Sequence, residues 1–147
     1  MIDGNLKYEA RLAKKLDSFS GRYMNNSKWA KLFRVLSQHD DVVKKCLIKD
    51  VWDNVLRELK IPPVDEYQMV FNEKGINDTM TGGPSSFKEI EWVEFPSEWT
   101  VNRPMGQQML EPFTYYQDIL EISNKVAVIG ELEIELTSEK LIVYGYK

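Results

Sequence analysis

Along this chain the hydrophobic period changes part-way. Leu6, Ala10, Ala13 and Leu16 recur at helical spacing over residues 5–19, with Lys and Arg filling much of the other side. Gly21 is a natural stop just beyond them. The next segment is clearer. Asn25, Asn26 and Ser27 offer side-chain oxygens to cap a helix, and Trp29, Leu32, Phe33 and Leu36 then fall at i, i+3, i+4 and i+7. Lys28, Lys31 and Arg34 take the opposite side, so the spacing predicts an amphipathic helix. His39-Asp40-Asp41 reads as a turn or a fresh cap, and residues 42–52 fit either a short helix or a strand. Val55, Leu56 and Leu59 suit a helix ended by Pro62 and Pro63, neither of which can donate a backbone N–H.

Beyond the two prolines the pattern turns strand-like. Residues 67–71 are a short apolar run fitting a strand. Residues 72–86 hold three Gly, a Pro, two Asn and an Asp with few apolar positions, and read as a loop long enough to suggest a function. Residues 87–95 read as a strand closed by Pro96, and residues 97–112, with Pro104, Gly106 and Pro112, as irregular. Residues 113–122 fit one helix with Phe113, Tyr116 and Leu120 on a face. The strongest strand signal comes last. Residues 126–136 begin as an apolar run and become a strict alternation, residues 137–140 can turn, and residues 141–146 return as a second strand. The whole predicts one α+β domain over residues 1–147. Its helical part, 1–61, packs amphipathic helices on a mainly antiparallel sheet, and its sheet-rich part, 64–147, ends in a β-hairpin. A length of 147 residues is an ordinary single-domain size.

Charge sharpens the division. Residues 1–60 carry 13 Lys and Arg against 8 Asp and Glu, a net of +5, while residues 61–147 carry 6 against 15, a net of −9, giving −4 in all. A basic helical front joined to an acidic strand-rich back can neutralise itself or present an acidic face to a basic partner. The single Cys46 excludes an intramolecular disulfide and a multi-cysteine zinc site, and fits a reducing compartment. The first ten residues lack the apolar stretch of a secretory signal, and no window has the length of a membrane span. These features lead us to expect a cytoplasmic protein without a membrane partner.

Most familiar chemistries find no foothold. Residues 81–86, Thr-Gly-Gly-Pro-Ser-Ser, lack the Gly-Lys-Ser/Thr of a phosphate-binding loop, and Pro84 removes one of the donors such a loop uses. His39 is the only histidine, so nucleophilic catalysis would need Cys46 or a serine folded against it. Restriction-type metal-dependent nucleases use an acid followed by Glu-x-Lys; Glu58-Leu-Lys60 has that spacing but falls on the expected helix, and neither a metal nor a cofactor is implied. Glu9 and Asp17 interrupt the basic helices and the chain is acidic overall, which argues against nucleic-acid binding. What stands out is carboxylate patterning. Glu131, Glu133 and Glu135 alternate with Leu132, Ile134 and Leu136, placing three carboxylates on one face of a strand. Glu89 and Glu91 share one face of the other strand, with Trp92 and Glu94 on the opposite one. Such residues form either a solvated outer face with Trp92 in the core or a docking surface with Trp92 as an aromatic anchor.

Residues 25–33, Asn-Asn-Ser-Lys-Trp-Ala-Lys-Leu-Phe, and residues 82–96, Gly-Gly-Pro-Ser-Ser-Phe-Lys-Glu-Ile-Glu-Trp-Val-Glu-Phe-Pro, resemble the small bacterial proteins grouped as domain of unknown function 6678. The resemblance covers about half the chain and implies a bacterial cytoplasmic protein with no assigned catalytic motif. By size, charge and lack of catalytic motifs, the chain is also similar to bacterial immunity proteins, which neutralise a cognate toxin. The leading expectation is a non-catalytic, antitoxin-like protein that binds a basic toxin through Glu89, Glu91, Trp92, Glu131, Glu133 and Glu135. The alternative is a small ligand-binding domain or enzyme using the 72–86 loop, with Gly82, Gly83, Tyr115, Tyr116 and Asp118 around a pocket. A third is a homo-oligomer in which basic helices of one copy meet the acidic sheet of another.

Overall fold

The computed structural model describes residues 3–77, 84–106 and 108–147. Helix α1, Asp3–Asp17, is followed by α2, Asn26–Gln38, which begins where its cap was expected: the Asn25 side chain accepts the Lys28 N–H at 2.8 Å. Trp29, Leu32, Phe33 and Leu36 are all buried along one stripe of α2. The ambiguous segment is a strand, β1, Cys46–Asp50. The helix expected around Leu56 and Leu59 is instead a second strand, β2, Leu56–Leu59, paired antiparallel with β1. The intervening turn explains this. Asp50 and Asp53 accept the backbone N–H groups of Trp52 and Val55, and both carboxylates pair with Arg57, fixing the reversal that brings β2 back.

Residues 67–71, expected as a strand, form a short helix, α3, Tyr67–Val70, entered through a 3₁₀ turn that starts after Pro63. Proline's fixed φ favours that start, and the i, i+4 pair Tyr67 and Phe71 is buried. Within the stretch read as a loop, β3, Gly75–Ile76, pairs with β4, Ser85–Ser86. Gly82 and Gly83 lie outside the described residues.

Strand β5, Ile90–Pro96, occupies most of the predicted strand, after a 3₁₀ turn at Phe87–Glu89. Residues read as irregular, and the first part of a predicted helix, form a long hairpin of β6, Glu98–Met105, and β7, Gln108–Tyr116. In a two-stranded ribbon each strand keeps one free edge, so Pro104 and Pro112 are tolerated where a central strand would reject them. Helix α4 is Ile119–Val126, capped by Asp118, whose carboxylate accepts the Glu121 N–H at 3.1 Å. The apolar run expected to open the next strand belongs to this helix and a following 3₁₀ turn, ended by Gly130 at φ 112°. Only β8, Glu133–Leu136, remains of that strand, and it turns into β9, Lys140–Tyr144, as expected.

The fold is α+β, with N-terminal helices on a mainly antiparallel sheet and a C-terminal hairpin. Its principal sheet has five antiparallel strands in the order β2-β1-β5-β9-β8. Cys46, Ile48, Val93, Phe95, Leu141 and Val143 face one way and join α2 and α4 in the main core. Leu12 and Leu16 of α1 pack on Val51 and Tyr146 in a second, smaller cluster at one end of the sheet. Gly145 is required there: a Cβ would stand 2.6 Å from the Ile90 carbonyl oxygen and 2.9 Å from the Trp29 ring. The β6–β7 hairpin leaves from the opposite end. Among the described residues no helix is long and apolar enough to cross a membrane.

Candidate functional site

Because side chains alternate along a strand, burying the Ile48 and Val93 set sends the intervening residues to the other face of the sheet. The register arranges them in two rows. One reads Glu58, Leu47, Glu94, Ile142, Glu135 across the five strands, and the other Leu56, Lys49, Trp92, Tyr144, Glu133. Leu47, Trp92 and Tyr144 are half-buried and belong to neither core cluster, whereas Ile142, Lys49 and Glu94 of these rows are buried. The first row places an aliphatic side chain between successive carboxylates. No two glutamates therefore face each other directly, which removes the cross-strand repulsion an acidic sheet would otherwise carry.

The polar groups of this face are partly tied to one another. A register shift beside Lys49 and Asp50 adds Glu91 to β5 as an extra residue, and its carboxylate takes the Lys49 ammonium at 2.7 Å. Lys49 also lies 5.1 Å from the centre of the Trp92 ring. The Trp92 indole N–H donates to Glu94 at 2.9 Å, and the Tyr144 hydroxyl donates to Glu135 at 3.0 Å. Burial, and then this carboxylate, push the Tyr144 phenol up from its ordinary range. Lys147 pairs with Glu133 and Lys45 with Glu58, both at 3.2 Å and both with exposed partners worth little in stability.

Of the six residues expected to bind a partner, four come together here: Glu91, Trp92, Glu133 and Glu135. Trp92 and Glu94 share a face as expected, and the bulge brings Glu91 to their side through Lys49. Glu131 stands ahead of β8, so the strand carries two of the three predicted carboxylates; its own backbone carbonyl accepts from Lys28 at 2.9 Å. Glu89 is not on a strand. It closes the capping box of the Phe87–Glu89 turn with Ser86, and its other oxygen accepts from the Tyr8 hydroxyl and the Trp52 indole. That carboxylate pins α1 and the β1–β2 turn to the sheet. Burial foremost, and the Glu89 carboxylate next, push the Tyr8 phenol up. Sequence reasoning missed Leu47, Lys49, Glu58 and Tyr144 as members of this face, because four- and five-residue strands show too little alternation to read.

Of the ligand-binding alternative, Gly82 and Gly83 lie outside the described residues, and Tyr115, Tyr116 and Asp118 do not converge. Tyr115 lies on one face of the β6–β7 hairpin, Tyr116 on the other, and Asp118 is spent as the α4 cap. Neither tyrosine nor Asp118 lines the concavity of about 710 Å³ between α1 and the β3–β4 ladder; the 72–86 loop does line it, through Asn72, Lys74, Pro84, Ser85 and Ser86, opposite Tyr8 and Glu89. Among the described residues no group of His, Cys, Asp and Glu side chains forms a metal-ligand set. His39 serves at the end of α2, its N–H on the Val35 and Leu36 carbonyls, and Cys46 is fully buried on the core face. Burial chiefly, then Glu58 and Glu94, push the thiol up. Cys46 should therefore resist thiol reagents in the native protein and react only as fast as the chain opens, which labelling with Ellman's reagent with and without denaturant measures. Rapid stoichiometric labelling of the folded protein would contradict this burial.

The chain matches no protein-family model, no curated protein and no solved structure.

Proposed function

We propose that this protein is a non-catalytic binding protein that receives a basic protein on the outer face of its five-stranded sheet. The supporting observation is the pair of rows itself. Leu47, Trp92 and Tyr144 are half-buried and lie interleaved with the carboxylates of Glu58, Glu133 and Glu135, while Ile142 and Glu94 between them are buried. Half-buried apolar side chains alternating with carboxylates, most of them toward the sheet's edges, suit a partner whose cations are interspersed with apolar groups. The carboxylates steer the encounter and the aromatic groups hold the docked state. With the resemblance to small bacterial proteins, this reading places the protein in the cytoplasm as an immunity or antitoxin-like factor that covers the working surface of a basic toxin.

The test is affinity capture from host lysate at low salt with elution at high salt, run in parallel on the native chain and on Glu133→Lys/Glu135→Lys. The native chain should retain one dominant basic protein, and the variant should lose it. With that protein purified, charge reversal should slow association by about tenfold or more at low ionic strength while changing dissociation less. Equal capture by both chains would show that the acidic face is only a solvated surface.

A further inference from the structure

In water a lone two-stranded hairpin is marginal at best. Yet the β6–β7 ribbon of 8 and 9 residues stands off the body, joined to it at its base. There the Gln117 N–H reaches the Ser97 carbonyl at 3.0 Å, and Lys45 lies 5.4 Å from the centre of the Trp99 ring. The ribbon is amphipathic. Its register puts Trp99, Val101 and Arg103 on one face with Tyr115, Phe113 and Leu110, and Glu98, Thr100, Thr114 and Tyr116 on the other. Trp99 stacks on Tyr115 at 5.8 Å, and Phe113 packs on Tyr115 at 4.7 Å. This apolar ladder is turned to solvent, with Val101 42%, Leu110 43%, Phe113 46% and Tyr115 44% exposed.

Its charge complements the sheet face. Arg103 lies 5.7 Å from the centre of the Phe113 ring and has no carboxylate within salt-bridge distance among the described residues. On the sheet, Glu94 and Glu135 accept hydrogen bonds from Trp92 and Tyr144 but pair with no cation among those residues. A hairpin strip bearing Arg103, which donates to the Glu111 carbonyl at 2.9 Å but meets no carboxylate among the described residues, and a sheet face bearing the exposed Glu135 carboxylate therefore exist on one chain, Glu94 being buried. The hairpin does not fold back to join them, since its ladder is exposed.

We propose that a second copy of this chain supplies the contact. Each copy lays its hairpin across the other's outer sheet face, with Arg103 against Glu135 and the aromatic ladder over Trp92 and Tyr144. Dimensions allow it. Eight residues at about 3.3 Å each reach about 26 Å, while four inter-strand steps of about 4.8 Å make the sheet about 19 Å wide. Extent allows it too. The 17 hairpin residues and ten outer-face side chains of each copy match the roughly 20–30 residues per partner of a standard interface. The functional consequence rests on the docking reading above: the dimer sheathes the acidic face, and a basic partner must displace the arm, so self-association sets the threshold for binding.

Sedimentation equilibrium of the full chain at low salt, over a wide concentration range, tests this. A monomer–dimer equilibrium is expected, weakened about tenfold or more by Arg103→Glu and by Glu135→Arg alone, and restored by the double charge swap. Phe113→Ser, at an exposed site, should weaken it with an unchanged circular dichroism spectrum. A native chain that stays monomeric throughout, or a double variant no tighter than either single one, overturns the proposal. Arg103→Glu also separates the two readings, because it leaves every carboxylate of the face in place. A dimer obeying the charge swap, with no basic protein captured by Arg103→Glu from lysate, upholds the arm exchange and removes the docking reading.

Discussion

Replacing Phe33 by Ala is expected to lower the unfolding free energy by about 3–5 kcal/mol, read from the midpoint and slope of a urea titration. Phe33 is fully buried, and its ring stacks on Trp29 at 5.8 Å, Phe71 at 4.7 Å and Phe87 at 5.6 Å. Those neighbours come from α2, the end of α3 and the turn before β5. One side chain thus joins three separate stretches of the chain to the core face of the sheet. Rings on several sides cannot all move inward to fill the hole, so a cavity term adds to the lost transfer energy. Against a typical domain stability of about 5–15 kcal/mol the loss is a large fraction. Val101→Ala, on the exposed hairpin ladder, is the control and should cost well under about 1 kcal/mol in the monomer. If the Phe33 variant loses no more than the control, the aromatic cluster is not what holds α2 to the sheet.

The elements legible in the sequence are those whose pattern is local. Helix α2 shows four apolar residues on one stripe behind an asparagine cap, and both signals lie within a dozen residues. The β8–β9 hairpin shows alternation, a polar turn and a return. The β6–β7 ribbon was hidden because Pro104, Gly106 and Pro112 are breakers wherever a strand must pair on both sides, and this one need not. The apolar run at 126–129 read as strand because a short apolar stretch has no period, and only the Asp118 cap ahead of it and Gly130 behind assign it to a helix end. The candidate face was half legible. Trp92, Glu133 and Glu135 announce themselves, but each strand contributes only two or three residues to it, and the rows exist only once five strands have been put in register. Local spacing cannot carry that information.

Gln117→Ala should cost about 2–4 kcal/mol, and its effect should be concentrated at the root of the hairpin. The side chain is 7% exposed and uses its full bonding capacity. Its carbonyl oxygen accepts from the Lys44 and Lys45 N–H groups at 2.9 and 3.1 Å, and its amide donates to the Lys45 and Pro96 carbonyls at 2.9 and 2.7 Å. One glutamine thereby fastens the start of β1 to the end of β5, at the point where the ribbon departs. Truncation strands four backbone groups, each costing about 1–3 kcal/mol when buried without a partner and less where water can enter the gap. Gln117→Glu should do no better than alanine, since a carboxylate can accept from Lys44 and Lys45 but cannot donate to the two carbonyls. Hydrogen exchange resolves the location: amides at 44–45 and 97–117 should lose protection while those of α2 and β9 keep theirs. Unchanged protection at the hairpin root would mean that the β6–β7 pairing holds the arm without this anchor. If protection falls as expected, the same variant should also loosen the dimer although Gln117 touches no interface residue of the other copy. An arm with a free base loses orientation on every encounter, and that entropy must be recovered before the Phe113 ladder and Arg103 can engage.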